Sequence, residues 1–240
     1  VLYPMLLLRS LFYFVGSIIS LILITLCGLF LVFANYSTRH KFLSQWAIFC
    51  IWWLKITLNI TTNIIGQENL KKAPYIIISN HQSTWETLAF QSIFPAHTWV
   101  LKKELLWLPI FGWSLALLKP IIINRGDKLK AIKKVIKQGA DRLNKGISIV
   151  IFPEGTRQPY KQIGEYQNGG SAIAKKSGYK IVPVYHNAGN LWPKGAFIKK
   201  PGVITVVIGE PISDLNLSPS EITEKIRDWT LKQEKKLLNN

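Results

Sequence analysis

The longest apolar stretch of the chain lies near its start. Residues 11–34 carry no charged side chain and consist largely of Leu, Ile, Phe and Val. As a helix, this stretch would span about 36 Å, which exceeds the roughly 30 Å hydrocarbon core of a bilayer. A cleavable signal peptide is the alternative, but its apolar region is typically only about 7–15 residues long. We therefore predict a membrane-anchoring helix.

A second apolar segment follows at residues 41–60. It contains Trp46, Trp52 and Trp53, and its only internal charge is Lys55. Tryptophan is enriched where a membrane meets water, so this segment either enters the bilayer or lies at its interface; a buried core helix is the third possibility. The first acidic residue of the chain comes only at position 68. We therefore predict that residues 1–64 form membrane-anchoring helices and residues 65–240 a separate domain.

Beyond this boundary, short apolar runs alternate with segments of helical periodicity. The runs are rich in Ile and Val and are only a few residues long, which is typical of buried strands. They lie at residues 75–79, 120–123, 147–152, 180–185 and 203–208. Strands that alternate with helices predict an α/β domain in which helices flank a largely parallel central sheet.

Two segments of this domain carry clear helix signals. Asp127 can act as the N-cap of an amphipathic helix, and five lysines between residues 128 and 137 occupy the faces other than the apolar stripe. The apolar positions of that pattern are Leu129, Ile132, Ile136, Ala140 and Leu143. Residues 218–221 have the sequence Ser-Pro-Ser-Glu, which resembles a capping box with proline at the first helical position. We predict a helix after each of these starts.

The chain is strongly basic, with 30 Lys and Arg against 13 Asp and Glu and a formal net charge of +17. Such a surplus favours an anionic partner, either nucleic acid or acidic lipid. A nucleic-acid surface would interleave basic and aromatic residues, whereas the aromatic residues here concentrate in the apolar first quarter of the chain. We expect membrane lipids as partners and no nucleic acid; a membrane-tethered nucleic-acid-binding protein is the remote alternative.

The first group of reactive residues follows the predicted strand at residues 75–79. His81 and Glu86 are five residues apart, so within one regular helix they would lie about 140° apart around the axis. They can meet only if His81 lies in the turn after the strand and Glu86 in the next helix, with Ser83 as its N-cap. The carboxylate could then hold one imidazole nitrogen and leave the other as a base. Spacing alone also allows a surface turn in which the two side chains share no role.

A second group of reactive residues lies at residues 152–157, directly after another predicted strand. The sequence there is Phe-Pro-Glu-Gly-Thr-Arg, in which Gly155 permits close approach of a ligand and Arg157 presents a planar fork suited to phosphate. Further cations follow two other strands, at Lys102, Lys103 and Arg125. We expect all of them at one edge of the sheet, although each singly could be an ordinary solvated charge.

Four motif blocks occur in a fixed order along the chain. They are Asn80-His81-x4-Glu86, Lys102-Lys103-Glu104-Leu105-x3-Pro109-x2-Gly112, Phe152-Pro-Glu-Gly-Thr-Arg157 and Val182-Pro183-Val184. Together they resemble the blocks of the glycerophospholipid acyltransferase family, over roughly residues 40–210. Among its members they are most similar to the bacterial enzymes that acylate lysophosphatidic acid. The usual acid of the family is Asp, and this chain has Glu86 in its place.

The resemblance implies a reaction and a role for each block. Members take an acyl chain from an acyl-carrier-protein or coenzyme A thioester and transfer it to the sn-2 hydroxyl of lysophosphatidic acid, which gives phosphatidic acid. His81 would be the general base, and Glu86 would orient it. The acceptor phosphate would be held by Lys103 and Arg157, with Lys102 or Arg125, and the acceptor pocket would be shaped by Glu154, Gly155 and Thr156. The chemistry requires neither a metal nor a bound cofactor.

The nearest alternative is an enzyme of the same family that acts on another acceptor, such as a lyso-ornithine lipid or another lysophospholipid. Acyl donors are cytoplasmic, so we expect the protein at the inner (cytoplasmic) membrane with its catalytic domain facing the cytoplasm. Arg39 and Lys41 follow the first apolar run and agree with this orientation. Arg9, on the other side of the run, argues against it.

Overall fold

The computed structural model describes residues 2–123 and 128–239 of the chain. Within these residues it contains seven α-helices and seven strands. The helices are α1 (Leu2–Leu29), α2 (Tyr36–Leu58), α3 (Trp85–Ile93), α4 (Phe111–Leu117), α5 (Lys128–Asn144), α6 (Gly169–Ser177) and α7 (Pro219–Leu238). The strands are β1 (Ile60–Ile65), β2 (Ile76–Ser79), β3 (His97–Lys102), β4 (Ile121–Ile123), β5 (Ser148–Ile151), β6 (Ile181–His186) and β7 (Gly202–Ile208).

The strands form one sheet in the order β1-β7-β6-β2-β5-β3-β4. Every neighbouring pair is parallel except β6 and β7, which are antiparallel. The predicted α/β architecture with a largely parallel sheet is therefore confirmed. Each of the five predicted strands is present, and its bounds differ from the prediction by at most one residue.

Strand β1 was not predicted, and its sequence explains why. Residues 61–63 are Thr, Thr and Asn, and Ile60 is the only buried residue of the strand. β1 lies at the margin of the sheet and pairs only with β7, so it lacks the continuous apolar run of a central strand. The division predicted between residues 64 and 65 remains a prediction, and β1 lies across it.

Both faces of the sheet are buried, as expected where helices cover a parallel sheet on each side. On one face, Ile77 and its neighbours in β5, β6 and β7 pack against Leu54 of α2 and Phe90 of α3. On the other face, Ile76 and Ile78 belong to a second apolar cluster with residues of α5, α6 and α7. The sheet therefore separates α2 and α3 from the three later helices.

The two predicted helix starts, at Asp127 and Ser218, have different outcomes. At α7, the Ser218 side chain accepts a hydrogen bond from the backbone of Glu221, and the Glu221 side chain accepts one from the Ser218 backbone, so the predicted capping box is present with proline at the first helical position. Helix α5 begins at Lys128. Its predicted cap, Asp127, lies outside the described residues.

Helix α1 contains the first apolar run, from which the membrane anchor was predicted. Among the described residues, its segment Tyr3–Leu29 is the one helix whose length and composition would suffice to cross a membrane. Many of its large apolar side chains are exposed, while Tyr13 and Leu21 are buried against the rest of the protein. Polar contacts also fix it, because Trp46 Nε1 of α2 donates to the Ser17 carbonyl at 3.0 Å. α1 indicates membrane association and also packs on the α/β domain.

Helix α2 combines two of the predicted alternatives. Ala47, Cys50 and Leu54 lie on a buried face, which matches the core-helix alternative. On the opposite side, Trp52 and Ile56 are more than half exposed, at 53% and 58%. An amphipathic helix with an apolar outer face is suited to a membrane interface.

Candidate active site

The candidate site lies where the parallel strands β2, β5 and β3 end, at an edge called here the carboxyl edge. Such edges are where open α/β sheets bind ligands. Ile78 pairs with Ile151, and Val150 pairs with Trp99. When this register is extended past the ends of β2, β5 and β3, His81, Glu154 and Lys103 lie side by side just beyond the three strands. The sheet therefore brings together motif blocks that are far apart in sequence.

His81 and Glu86 are in direct contact. His81 lies in the turn after β2, Glu86 is the second residue of α3, and His81 Nδ1 is 2.7 Å from Glu86 Oε1. This is the arrangement that the spacing required if the two were to meet. The prediction that Ser83 is the N-cap is wrong by one residue, because α3 begins at Trp85 with Thr84 at the cap position. Ser83 Oγ instead accepts the Trp85 N–H at 3.1 Å.

Glu86 is fully buried and acts as a shared acceptor. Besides His81, the backbone N–H groups of Gln82 and Ser83 donate to its Oε1 at 2.9 and 2.8 Å. Burial alone would raise the pKa of Glu86, but the neighbouring His186 and His81 and the Ser83 N–H outweigh burial and lower it. Glu86 is therefore ionised at neutral pH and can hold His81 in the tautomer with its proton on Nδ1. That tautomer leaves Nε2 unprotonated and available as a base.

Phe152 fixes the plane of the His81 ring, and the sequence did not assign it a role. The two rings are stacked, with centroids 4.1 Å apart and planes at 10°. Phe152 is in turn stacked on Trp99 at 5.7 Å. His81 is thus held at its edge by Glu86 and at its face by an aromatic layer. Phe152 was visible in its motif block, but nothing local showed which side chain it would touch.

Glu154 links the second block to the first. Its Oε2 accepts the His81 N–H at 2.8 Å, and its Oε1 accepts the Gly164 N–H at 3.0 Å. Burial raises the pKa of Glu154 to about 7, although both hydrogen bonds oppose the rise. The Glu154 side chain therefore ties the turn at His81 to the loop that follows its own motif. Its predicted part in shaping an acceptor pocket remains a prediction.

A second backbone contact brings the turn that contains Arg157 next to His81. The N–H of Gln158, the next residue, donates to the His81 carbonyl at 2.7 Å. Gly155 is exposed and has φ +67, in the left-handed region that glycine adopts without strain. Thr156 is also exposed. The turn at residues 155–157 therefore lies beside His81, and Arg157 at its end is partly exposed.

Lys194 is a cation that the sequence analysis missed. Its Nζ lies 3.4 Å from both Thr156 Oγ1 and the Arg157 carbonyl oxygen. It comes from the loop between β6 and β7, some 37 residues after Arg157, so no local pattern connects the two. Lys102 and Lys103 are exposed where β3 ends at the carboxyl edge. Arg125 lies outside the described residues.

A buried histidine also supports the turn. His186 ends β6 and is fully buried, and burial lowers the pKa of its imidazole, although the nearby Glu86 carboxylate opposes this shift. Its Nε2 is 3.1 Å from the Asn80 carbonyl oxygen and 3.9 Å from Glu86 Oε1. The Asn80 side chain bonds the His186 backbone in return. Neither Asn80 nor His186 was assigned a role from sequence.

The hydrogen bonds of the turn restrict where an oxyanion could bind. The N–H of His81 donates to Glu154, and those of Gln82 and Ser83 donate to Glu86. These three donors are engaged before any substrate arrives. Stabilisation of a developing oxyanion, which acyl transfer requires, must therefore come from other groups.

Comparisons with known proteins agree with this geometry. The family model described as Acyltransferase matches residues 61–187. The chain is similar to the 1-acyl-sn-glycerol-3-phosphate acyltransferase of Pseudomonas aeruginosa, with 44% identity over 190 residues that cover 79% of this chain and 74% of the relative. It is also similar to the protein of that name from Saccharomyces cerevisiae, with 31% identity over 236 residues that cover 90% of this chain and 75% of the relative.

A solved structure has the same fold. The crystal structure of the 1-acyl-sn-glycerophosphate (LPA) acyltransferase PlsC from Thermotoga maritima superposes with a TM-score of 0.81. The match covers 98% of this chain and 96% of that one, at 21% sequence identity. At this identity the similarity establishes the architecture, including the long N-terminal helices and the sheet.

Proposed function

The chain belongs to the Acyltransferase family, and from this premise we propose that it transfers an acyl chain from a thioester to the sn-2 hydroxyl of lysophosphatidic acid, forming phosphatidic acid. The names of the relatives support the acceptor and the product. One observation carries the mechanism: His81 Nδ1 lies 2.7 Å from the buried Glu86 carboxylate at the carboxyl edge.

The proposed reaction begins with His81 Nε2 as general base. It removes the proton of the acceptor hydroxyl while the oxygen attacks the thioester carbonyl, and Glu86 stabilises the imidazolium that forms. The tetrahedral intermediate then collapses with cleavage of the C–S bond. The departing sulfur takes the proton from His81, which returns the imidazole to its neutral state. The steps need neither a metal nor a bound cofactor.

We assign the acceptor phosphate to the cations beside His81. Arg157 offers two parallel N–H donors, the geometry that favours bidentate phosphate binding. Lys194 lies against the same turn, with Nζ 3.4 Å from the Arg157 carbonyl oxygen. The register of the sheet places Lys103 level with His81, two strands away. Lys102 is adjacent to it, and Arg125 remains a prediction outside the described residues. Gly155 and Thr156 would line the pocket between these cations.

The proposed acyl donor and cellular location rest on the chemistry of thioesters rather than on a contact in the structure. Acyl-carrier-protein and coenzyme A thioesters carry the same reactive group, and both are compatible with the proposed attack. Because both are cytoplasmic, the catalytic domain would face the cytoplasm at the inner membrane. Helix α1, with its exposed apolar side chains, would hold the domain where its lipid acceptor resides.

The product formed by the purified protein tests the proposal. The protein would be incubated with lysophosphatidic acid and each thioester in turn, and the lipids identified by mass. We expect phosphatidic acid with at least one donor, and its absence from a His81→Ala sample. Lyso-ornithine lipid and lysophosphatidylcholine would be offered in parallel. Faster acylation of either one would replace lysophosphatidic acid as the acceptor.

A further inference from the structure

The segment at residues 105–113 exposes large apolar side chains next to the candidate site. Trp107 is 69% exposed, and Leu108 and Trp113 are 47% and 45% exposed. The segment comprises the end of a short 3₁₀ helix, Lys103–Trp107, and the first residues of α4. Tryptophan side chains have an apolar body and one polar N–H, which suits them to the boundary between lipid and water. A cluster of this kind marks a surface that meets a partner.

The segment is continuous with the apolar surface of α1. Trp113 precedes Ser114, whose hydroxyl lies 2.6 Å from that of Thr25 in α1. Just beyond Thr25, Leu26 is 46% exposed and Phe30 is 88% exposed. Trp113 and the exposed end of α1 therefore form neighbouring parts of one apolar surface.

The charges around the segment favour a lipid surface as its partner. Residues 102–119 contain Lys102, Lys103 and Lys119 against one acid, Glu104, and all three lysines are exposed. Apolar side chains bordered by cations complement a bilayer that carries anionic headgroups. We propose that residues 105–113 are a second membrane-contacting element, which inserts Trp107 and Leu108 at the headgroup boundary.

On the proposed function, this membrane contact would give a lipid acceptor direct access to the site. Lys103 lies two residues before the segment, and the register of the sheet places it at the level of His81. If the segment lies on the bilayer, the cationic rim of the site lies at the headgroups. A lysolipid acceptor would then reach His81 without leaving the membrane surface.

A fluorescent probe tests the contact without any turnover. Trp107→Cys would be labelled with an environment-sensitive dye in a Cys27→Ser background, because Cys27 is the exposed native cysteine and Cys50 is buried. The full chain would be placed in phosphatidylcholine vesicles containing phosphatidylglycerol and a lipid with a nitroxide high on its acyl chain. The matched control is Lys235→Cys, which is exposed on α7, a helix on the face of the sheet opposite α2.

We expect the nitroxide lipid to quench the dye at position 107 and to leave the dye at position 235 unquenched. Equal quenching at the two positions would overturn the proposal. A dye at position 107 that is shielded from water but unquenched would show that a second protein copy covers the segment, and would also overturn it.

A kinetic measurement provides a second test of the membrane contact. Trp107→Glu should lower turnover of lysophosphatidic acid in vesicles about tenfold relative to turnover of a short-chain acceptor in solution, which corresponds to roughly 1.4 kcal/mol of lost interfacial binding. An unchanged ratio would count against the membrane contact. Failure of both acceptors to react in the parent protein would refute the proposed function and leave the quenching result intact.

A separate observation concerns His186, whose two ring nitrogens are both engaged. Nδ1 accepts the Ala188 N–H at 3.3 Å, so Nε2 carries the proton and donates to the Asn80 carbonyl at 3.1 Å. The Asn80 side chain accepts the His186 N–H at 3.0 Å and donates to the His186 carbonyl at 2.9 Å. Three hydrogen bonds thus join the end of β6 to the residue directly before His81.

We infer that His186 is a positioning residue for the proposed reaction. It acts through the Asn80 carbonyl, because that contact fixes the main chain from which His81 projects. A shift of about 1 Å in a catalytic group can reduce the rate by about 10²-fold. This role rests on the proposed function, and it adds to the reacting groups a side chain that lies behind them.

Three substitutions separate this role from simple filling of the core. His186→Gln can keep an N–H near the position of Nε2, His186→Asn can keep an acceptor near Nδ1, and His186→Phe keeps the ring without either. We expect kcat to fall about 10²-fold in His186→Phe and much less in His186→Gln, with the acceptor KM nearly constant in both. His186→Asn should resemble His186→Phe, because the donor to Asn80 is lost.

The matched control is His97, which is also fully buried but lies at the opposite end of the parallel strands. His97→Phe should lower the melting temperature without the loss in kcat. Parental kcat in a folded His186→Phe protein would refute the positioning role. Equal losses of kcat in the two Phe variants at equal melting temperatures would also refute it, as would a Gln variant no better than Phe.

Discussion

His81 and Glu86 are five residues apart in the chain, and yet Nδ1 of one lies 2.7 Å from Oε1 of the other. The contact exists because α3 begins between them, at Trp85. His81 is therefore free of helical geometry, while Glu86 is fixed by the first turn of the helix. This relationship supports the first two predictions.

Replacement of His81 by Ala should abolish measurable transfer while the protein remains folded. The variant removes the base that accepts the hydroxyl proton, and general-base catalysis typically contributes about 10²–10⁴-fold. Product formation by the purified protein is the measurement, with the melting temperature as the control for folding. A variant with near-parental turnover would require the proposed mechanism to be abandoned.

Replacement of Glu86 by Gln should lower kcat strongly and KM little. The amide oxygen can still accept the N–H groups of Gln82 and Ser83, but the charge that stabilises the His81 imidazolium is lost. Glu86→Asp keeps the charge and shortens the reach by roughly 1.5 Å, so it should be more active than Gln and less active than the parent. Full activity of a folded Glu86→Gln protein would contradict the pairing.

Replacement of Arg157 by Ala should raise the KM for lysophosphatidic acid about 10–100-fold, because a hydrogen bond to a charged group contributes about 1.5–3 kcal/mol. The KM for the thioester should change little. Arg157→Lys should restore only part of the affinity, since the planar fork is lost. Lys235→Ala, an exposed lysine on α7, is the control for nonspecific charge effects. An unchanged acceptor KM in folded Arg157→Ala would remove Arg157 from the phosphate site.

Glu154 should make stability depend on pH in a predictable direction. Burial raises its pKa from 4.5 to about 7 in the folded protein, so the folded state favours the protonated form. Its contribution to stability is therefore fully present below pH 4.5 and is lost as the pH rises through about 7. Glu154→Gln cannot ionise, so its melting temperature should fall less than that of the parent between these pH values. Parallel curves for the two proteins would contradict this prediction.

The protein should remain in the membrane fraction when the salt concentration is raised. Roughly 1 M salt shortens the Debye length to about 3 Å and screens the attraction between lysines and anionic lipid, but it does not weaken burial of the apolar face of α1. Detergent should release the protein. Sedimentation of membranes after each treatment, followed by detection of the chain in the pellet and supernatant, is the measurement. Complete release by salt alone would show that α1 is not an anchor.

Elements with local signals were predictable from sequence. The apolar runs of β2, β5 and β6 were found because a strand buried on both faces needs consecutive apolar residues. Those of β4 and β7 were found from their Ile and Val content, although alternate residues of β7 are only partly buried or exposed. The capping box at Ser218 was found because its two hydrogen bonds join residues only three apart. The spacing of His81 and Glu86 could likewise be tested against helix geometry, and it gave one arrangement in which the two side chains meet.

Other features required the tertiary structure because they depend on contacts between distant residues. Phe152 stacks on His81 and Glu154 binds its N–H only because β5 pairs with β2. The polar strand β1 belongs to the sheet only because β7 offers an edge. The sequence by itself determined the α/β architecture and the apolar N-terminal run, since both depend on short-range periodicity. The candidate catalytic pair came from the resemblance of four ordered motif blocks, because the spacing of His81 and Glu86 alone left a surface turn open. The tertiary structure alone decided which groups surround that pair, because His186, Phe152 and Lys194 reach it through strand order and loop packing, and no local pattern encodes those.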